Sequence, residues 1–132
     1  MKRAGKFLGW LLAVILALLI IMIVFMVSSA NHERKKLYYS GLEASKVADG
    51  VYHGMADAGL VKAEVKVTVQ NHTIIRIDIL KHENGLGTKA EAITKEMVRQ
   101  NTYEVDAISG ATLSSEVIKS AVSIALEKGK EQ

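Results

Sequence analysis

The run Asp106–Thr112 holds the residues of this chain that are best suited to chemistry. It follows a D-x-x-S-G-A-T pattern and leads into a segment with helical periodicity. The Thr112 hydroxyl therefore stands where a glycine-containing turn meets a helix start, and the free backbone N–H groups of a helix start favour a phosphate. The pattern predicts a site for a phosphorylated cofactor, with a hydroxyl that can itself be esterified to that phosphate.

The same run is also typical of a turn followed by ordinary helix capping. In that interpretation Thr112 or Ser114 is the N-cap of the helix, and Ser109-Gly110 forms the turn. Ser114 and Ser115 then serve only as helix-start residues. The residue types alone leave capping and phosphate binding both open.

Alternation of apolar and polar residues predicts the sheet that must position this run. Apolar side chains alternate with polar ones along residues 61–69 and again along residues 75–79. This period of two indicates half-buried strands, which a turn at Asn71-His72 joins as an antiparallel hairpin. Residues 51–56 form a further short strand, and residues 84–88 break the pattern as a loop.

Two helices follow these strands. Ala90, Ile93 and Met97 recur at helical spacing within a segment of about eleven residues. Residues 117–126 then present a continuous helical apolar face, which Gly129 ends as a C-cap. The predicted fold class is α+β, with a small antiparallel sheet and helices packed on one of its faces.

A long apolar run precedes this domain. Leu8–Val27 carries no charged residue, and about 20 apolar residues are enough to cross the hydrocarbon core of a bilayer. A cleaved signal peptide is the alternative, with Ser28-Ser29-Ala30 resembling a cleavage site, but the run is longer than a usual signal-peptide core. We therefore expect an uncleaved single transmembrane helix in the cell membrane.

The expected domain organisation has three parts. Residues 1–30 form a cytoplasmic tail and transmembrane anchor, residues 31–48 form a juxtamembrane stalk, and residues 49–132 form the folded domain. Basic residues flank both ends of the apolar run nearly equally, so the positive-inside rule gives only a small preference. With the α-amino group added, that preference places the N-terminus in the cytoplasm and the folded domain outside it.

Composition excludes several kinds of chemistry. The chain has no cysteine, which rules out disulfides, thiolate metal sites and c-type haem attachment. Its 17 basic residues include three in the first six positions, and the other 14 balance the 14 acidic residues. The domain therefore lacks the concentrated basic face of a nucleic-acid-binding protein. The four histidines show no metal-ligand spacing, so no metal site is predicted: His32, His53, His72 and His82.

Three motifs resemble those of the FMN-binding domain family. Asp106–Thr112 is similar to the family's flavinylation motif, and Asp49–Gly54 resembles its opening D-G-x-Y-x-G. His82–Gly87 resembles its central H-x-E-T-P-G-L-G loop, with Asn84 in place of Thr-Pro. The resemblance spans residues 49–128. The family includes domains of sodium-pumping NADH:quinone reductases and Rnf-type complexes, and small membrane-anchored flavoproteins.

The resemblance implies a specific site. Thr112 would carry FMN covalently through a phosphoester, and a Mg²⁺-dependent flavin transferase would install it from FAD and release AMP. Asp106 would position or activate the acceptor hydroxyl. The tight turn would consist of Ser109, Gly110 and Ala111. The loop near the isoalloxazine ring would consist of Gly85, Leu86 and Gly87, with Glu83 as a candidate partner for a polar edge of the flavin.

These expectations favour a membrane-anchored flavoprotein in electron transport. The flavin would supply the redox chemistry and the protein its attachment. The chain lacks a nicotinamide-binding fingerprint, so it is expected to be an electron carrier between a membrane donor, either a protein or a quinone, and an extracytoplasmic acceptor, rather than a complete enzyme. Two alternatives remain open: a membrane-tethered interaction module without cofactor, and a reversible, non-covalent FMN binder.

Overall fold

The structure is a computed structural model that describes residues 2–83 and 87–131. The chain divides into two compact units, one up to His32 and one from Glu33 onward. The first unit contains helix α1, Lys2–Arg34, almost in its entirety. The second unit contains a three-stranded sheet and two further helices. This is the α+β architecture that the sequence predicts.

Helix α1 is long and apolar enough to cross a membrane. Its segment Lys6–Ser29 has 24 residues and a mean hydropathy of 3.3. At a rise of 1.5 Å per residue this segment is about 36 Å long, against a hydrocarbon core of about 30 Å. Large apolar side chains from Phe7 to Val27 are exposed along it. The helix is therefore a candidate transmembrane span, as the sequence predicts.

The sheet is antiparallel, in the order β1-β2-β3, with strands β1 (Gly50–Asp57), β2 (Lys62–Gln70) and β3 (Thr73–Glu83). One face is apolar and buried, and on β2 it consists of Ala63, Val65, Val67 and Val69. The other face carries charges that pair across strands, such as Lys66 with Asp78 at 3.6 Å. The alternation along residues 61–69 therefore predicted the buried face of β2 correctly.

The β2–β3 connection is a two-residue turn. Asn71 and His72 both have positive φ values, 51° and 56°, as in a type I′ turn, whose twist matches the right-handed twist of the flanking strands. Asp49 accepts a hydrogen bond from the His72 N–H at 3.1 Å. The backbone N–H groups of Asn71 and His72 hold the pKa of the Asp49 carboxyl below its usual value.

Strand β3 departs from the predicted alternation. Its pairing with β2 shifts register twice, so β3 has an extra residue at Ile75 and another at Leu80. Each of these side chains is about half exposed, at 48% and 47%. Because the bulge at Ile75 reverses the side-chain alternation, Ile74 enters the core instead. The predicted alternation along residues 75–79 therefore does not include Ile75.

Two helices cover the apolar face of the sheet. Helix α3 (Thr112–Lys128) packs on β1 and β2, and helix α2 (Ile93–Gln100) packs on β3 after a 3-10 turn at Thr88–Ala92. Gly129 is the C-cap of α3, as predicted. The face of α3 toward the sheet is fully buried and consists of Val117, Ile118, Ala121, Val122, Ala125 and Leu126.

Residues 37–48, which we call the strap, pack on the domain. The Ser120 hydroxyl donates to the Tyr38 carbonyl at 2.7 Å, and the Ser40 N–H donates to the Ser123 hydroxyl at 2.7 Å. Val47 is fully buried and pairs with Lys130 in a single β-bridge. The strap makes up most of the segment expected as a juxtamembrane stalk, and it contributes directly to the packing of the domain.

Candidate functional site

Thr112 is the first residue of α3, and its side chain is exposed. The N-cap of α3 is Ala111, which makes no side-chain capping bond. The prediction of Thr112 or Ser114 as N-cap was therefore wrong. Within the part of the chain that the structure describes, the Thr112 hydroxyl forms no hydrogen bond. It stands at the positive end of a 17-residue helix, where the helix dipole and free N–H groups stabilise a negative charge.

Ser115 holds the turn that precedes Thr112. Its hydroxyl accepts a hydrogen bond from the Ile108 N–H at 2.9 Å and donates one to the Ala111 carbonyl at 2.8 Å. The Ala111 N–H also donates to the Ile108 carbonyl at 3.0 Å. Ser115 is fully buried. The hydrogen bonds of Ser115 thus hold the motif turn against the start of α3.

Replacing Ser115 with alanine is expected to destabilise the domain by about 1–3 kcal/mol, because the Ile108 N–H loses its partner. Thermal denaturation should show a melting temperature lowered by several degrees. Ser114→Ala is the matched control, since Ser114 is also buried but its hydroxyl forms no hydrogen bond within the described residues. Equal destabilisation by the two variants would contradict the role given to Ser115.

Gly110 brings the motif turn against a second segment of the chain. Its φ is +75°, which a residue with a side chain rarely adopts. A Cβ atom built on Gly110 would lie 2.7 Å from Lys89 Nζ and 3.4 Å from Lys89 Cε. Lys89 belongs to the 3-10 turn that follows Gly87. The motif turn and the 3-10 turn Thr88–Ala92 therefore meet at Gly110, although they are distant in sequence.

The Gly-Leu-Gly loop is described only at its end. Gly87 is buried, and its carbonyl accepts a hydrogen bond from the Ala90 N–H at 2.9 Å. Gly85 and Leu86, predicted to lie near the isoalloxazine ring, are outside the described residues. Before the loop, the buried His82 places Nδ1 3.0 Å from Glu91 Oε1. This contact joins the end of β3 to the 3-10 turn after the loop.

Glu83 lies on the outer, charged face of the sheet. Its carboxylate is 2.8 Å from Lys81 Nζ, and that hydrogen bond lowers the pKa of the Glu83 carboxyl. Glu83 also pairs across the strands with Lys62. The structure thus places Glu83 with lysines on the face away from the helices and does not bring it to the motif turn. Its contact with a flavin edge stays a prediction.

Asp106 separates two grooves in the domain surface, and its side chain is exposed. The first groove, of about 460 Å³, runs between the start of α2 and the motif run. It is lined by Ala92, Ile93, Lys95, Glu96, Gln100 and residues 106–109, including Ser109. The second, of about 400 Å³, is lined by Tyr39, Tyr103, Glu104, Val105, Asp106, Glu116 and Lys119.

Two carboxylates border the first groove, and one of them, Glu96, is paired within its own helix. Glu96 accepts hydrogen bonds from the side chains of Arg99 and Gln100. The Arg99 guanidinium, followed by the Gln100 amide, lowers the pKa of the Glu96 carboxyl to about 2. Glu96 therefore stays ionised as pH falls until that value is approached. Arg99 balances the charge of Glu96, so this carboxylate adds little net negative charge to the groove.

The features around Thr112 fit a phosphate-bearing cofactor. An exposed hydroxyl stands at a helix N-terminus, a glycine at positive φ leaves space beside it, and a lysine ammonium group occupies that space. Among residues 2–83 and 87–131, no cluster of three or more His, Asp or Glu side chains could hold a metal ion. The site thus combines an exposed hydroxyl, a helix N-terminus and a positive charge, all of which suit an organic phosphate.

Two residues at this site were missed by the sequence analysis. Ser115 was assigned only to the helix start, although a serine on an otherwise apolar helix face was a signal that it has a buried partner. Lys89 carried no local signal, because its proximity to Gly110 depends on how two distant segments pack. The motif residues themselves, being contiguous, needed no tertiary information.

The fold and the site define a small α+β domain that presents an exposed threonine hydroxyl at the N-terminus of its last helix. The family model for the FMN-binding domain matches residues 59–127. This match covers more than half of the chain, and the protein belongs to the FMN-binding domain family. The opening motif Asp49–Gly54 precedes the matched residues. No solved structure matches the chain.

Proposed function

We propose that this protein is a membrane-anchored electron carrier that holds FMN covalently through a phosphoester to Thr112. The observation that carries the proposal is the state of the Thr112 hydroxyl, which is exposed at the start of α3 and is not used for capping. Family membership supports FMN as the cofactor. When bound, the flavin supplies the oxidation–reduction chemistry.

The attachment reaction requires FAD and a separate Mg²⁺-dependent flavin transferase. Thr112 Oγ forms a bond to the phosphorus of the FMN half of FAD, the pyrophosphate P–O bond breaks, and AMP leaves with the bridging oxygen. The hydroxyl proton passes to a base, and Asp106 is the motif carboxylate proposed for that role. The turn at Ser109, Gly110 and Ala111 gives a bulky donor access, because these side chains are small.

The position of the groove between α2 and the motif run supports its use by the flavin. Its lining begins with Ala92 and Ile93, close in sequence to Gly87, and ends with Ser109, close to Thr112. The ring system of a cofactor attached at Thr112 would therefore lie between the two loops that the family resemblance connects with FMN. Covalent attachment keeps the effective concentration of the flavin at the site high.

The apolar helix α1 and the distribution of charge support a membrane location. We propose that the N-terminus lies in the cytoplasm and the FMN-binding domain lies outside it, where a released flavin would be lost by diffusion. The electron donor would be a protein or quinone in the membrane, and the acceptor an extracytoplasmic protein. Tethering to the membrane would limit the search of the carrier to two dimensions.

Coexpression of the full chain with a flavin transferase tests the proposal. The purified protein is expected to be yellow and to remain fluorescent in a denaturing gel, because an ester survives unfolding. Release of flavin on denaturation would indicate reversible FMN binding and overturn the covalent attachment. A colourless protein would favour the membrane-tethered interaction module. The same chain expressed without the transferase is the control and should not fluoresce.

A further inference from the structure

The ammonium group of Lys89 lies against the backbone of the motif turn. The nearest heavy atom to a Cβ built on Gly110 is Lys89 Nζ, at 2.7 Å, so this amine occupies the space that any side chain at Gly110 would fill. Gly110 is two residues before Thr112 in the chain. The cation therefore lies beside the short turn that ends at the acceptor hydroxyl.

Lys89 forms no ion pair with an acidic side chain among the described residues, whereas several other lysines of the domain do. Lys81 pairs with Glu83 at 2.8 Å, and Lys119 pairs with Glu116 at 3.2 Å. Within residues 2–83 and 87–131, no carboxylate forms an ion pair with Lys89. An uncompensated positive charge at the one place where a phosphate is expected is electrostatically suited to that phosphate.

We propose that Lys89 holds the phosphate of FMN, both as it is transferred to Thr112 and in the finished phosphoester. This inference rests on the function proposed above. A phosphodiester keeps one negative charge, and a lysine ammonium group binds phosphate as a compact point charge. The N-terminus of α3 supplies the second favourable field. The glycine at position 110 is required because a side chain there would displace the ammonium group.

Lys89 also connects the phosphate to the flavin loop. It is the second residue of the 3-10 turn Thr88–Ala92, which begins directly after Gly87. A phosphate bound by Lys89 would therefore draw the end of the Gly-Leu-Gly loop toward Thr112. Lys89 acts on the reaction as a phosphate-binding residue, whereas Thr112 forms the bond.

The test measures the initial rate of FMN incorporation into the full-length chain by a flavin transferase, with FAD as donor. Lys89→Ala is expected to lower this rate about tenfold or more, since hydrogen bonds from a charged donor to phosphate are stronger than neutral ones. Lys89→Arg should restore most of the rate. Lys130→Ala is the matched control, because Lys130 is also exposed and has no carboxylate partner among the described residues. It should behave like the unmodified chain.

Salt dependence separates an electrostatic role from a structural one. Raising the ionic strength should slow incorporation into the unmodified chain and into Lys130→Ala more than into Lys89→Ala. The ³¹P resonance of the loaded protein should also shift between the unmodified chain and Lys89→Ala. Rates for Lys89→Ala within twofold of the control, with Thr112 still flavinylated, would overturn the inference alone. Failure of the unmodified chain to incorporate FMN would overturn the proposed function as well.

Discussion

Replacement of Thr112 by alanine is expected to abolish covalent FMN completely, whereas Thr112→Ser should retain it. Alanine removes the only atom proposed to form the phosphoester bond, and serine keeps a hydroxyl at the same backbone position. The measurement is the intact mass of the chain after coexpression with the transferase. The mass should increase by that of FMN less one water, and peptide mapping should place the addition on Thr112.

The variant should lose its flavin without losing its fold. Thr112 is exposed and its hydroxyl makes no hydrogen bond within the described residues, so the melting temperature should change little. Ser45→Ala is the matched control, because Ser45 is also an exposed hydroxyl residue but lies in the strap and lines neither groove. It should keep the added mass. Covalent flavin on the Thr112→Ala chain would refute Thr112 as the attachment point.

Gly54→Ala is expected to have the largest effect on stability. A Cβ atom at Gly54 would lie 1.9 Å from the Ala121 carbonyl oxygen and 2.7 Å from the Ala125 nitrogen, both in the backbone of α3. Neither backbone atom can move away from the new Cβ atom unless the helix itself shifts. The free energy of unfolding should fall by about 3 kcal/mol, which is at the upper end of the cost of overpacking a core. Thermal denaturation should show a melting temperature lower by roughly 10–20 °C.

The same substitution should reduce flavinylation, because α3 carries Thr112 at its first position. Gly50→Ala, in the same strand, is the matched control. Its Cβ would meet the Tyr52 hydroxyl oxygen at 2.8 Å, and a side chain can rotate away where a backbone cannot. The free energy of unfolding of this variant should fall by less than about 1 kcal/mol. Similar melting temperatures for the two variants would contradict the close approach of α3 to β1.

Elements that depend on local patterning could be predicted from the sequence. The alternation in residues 61–69, the turn at Asn71-His72 and the apolar face of α3 are all present in the structure. Prediction was less accurate where a β-bulge interrupts the alternation of side chains along a strand. The bulge at Ile75 exchanges the inner and outer faces of β3, and nothing in the alternating isoleucines indicates on which residue the extra position falls.

The candidate site likewise has a part that the sequence predicts and a part that it does not. The motif run is contiguous, so its residues and their order were available from the sequence, although the N-cap was not. The turn hydrogen bonds around Ser115 place Ala111 at that position. The contact of Lys89 with Gly110 needed the packing of α2 and α3 on one sheet. A contact between segments that are distant in the chain produces no periodic pattern in a single sequence.

The strap has a practical consequence for anyone who prepares the domain without its apolar helix. A fragment that begins at Asp49 would leave the buried hydroxyls of Ser120 and Ser123 without their partners at Tyr38 and Ser40. It would also remove the fully buried Val47 from the core. Such a truncated fragment would be prone to aggregation and proteolysis. A soluble fragment should begin at or before Leu37, so that the whole strap is retained.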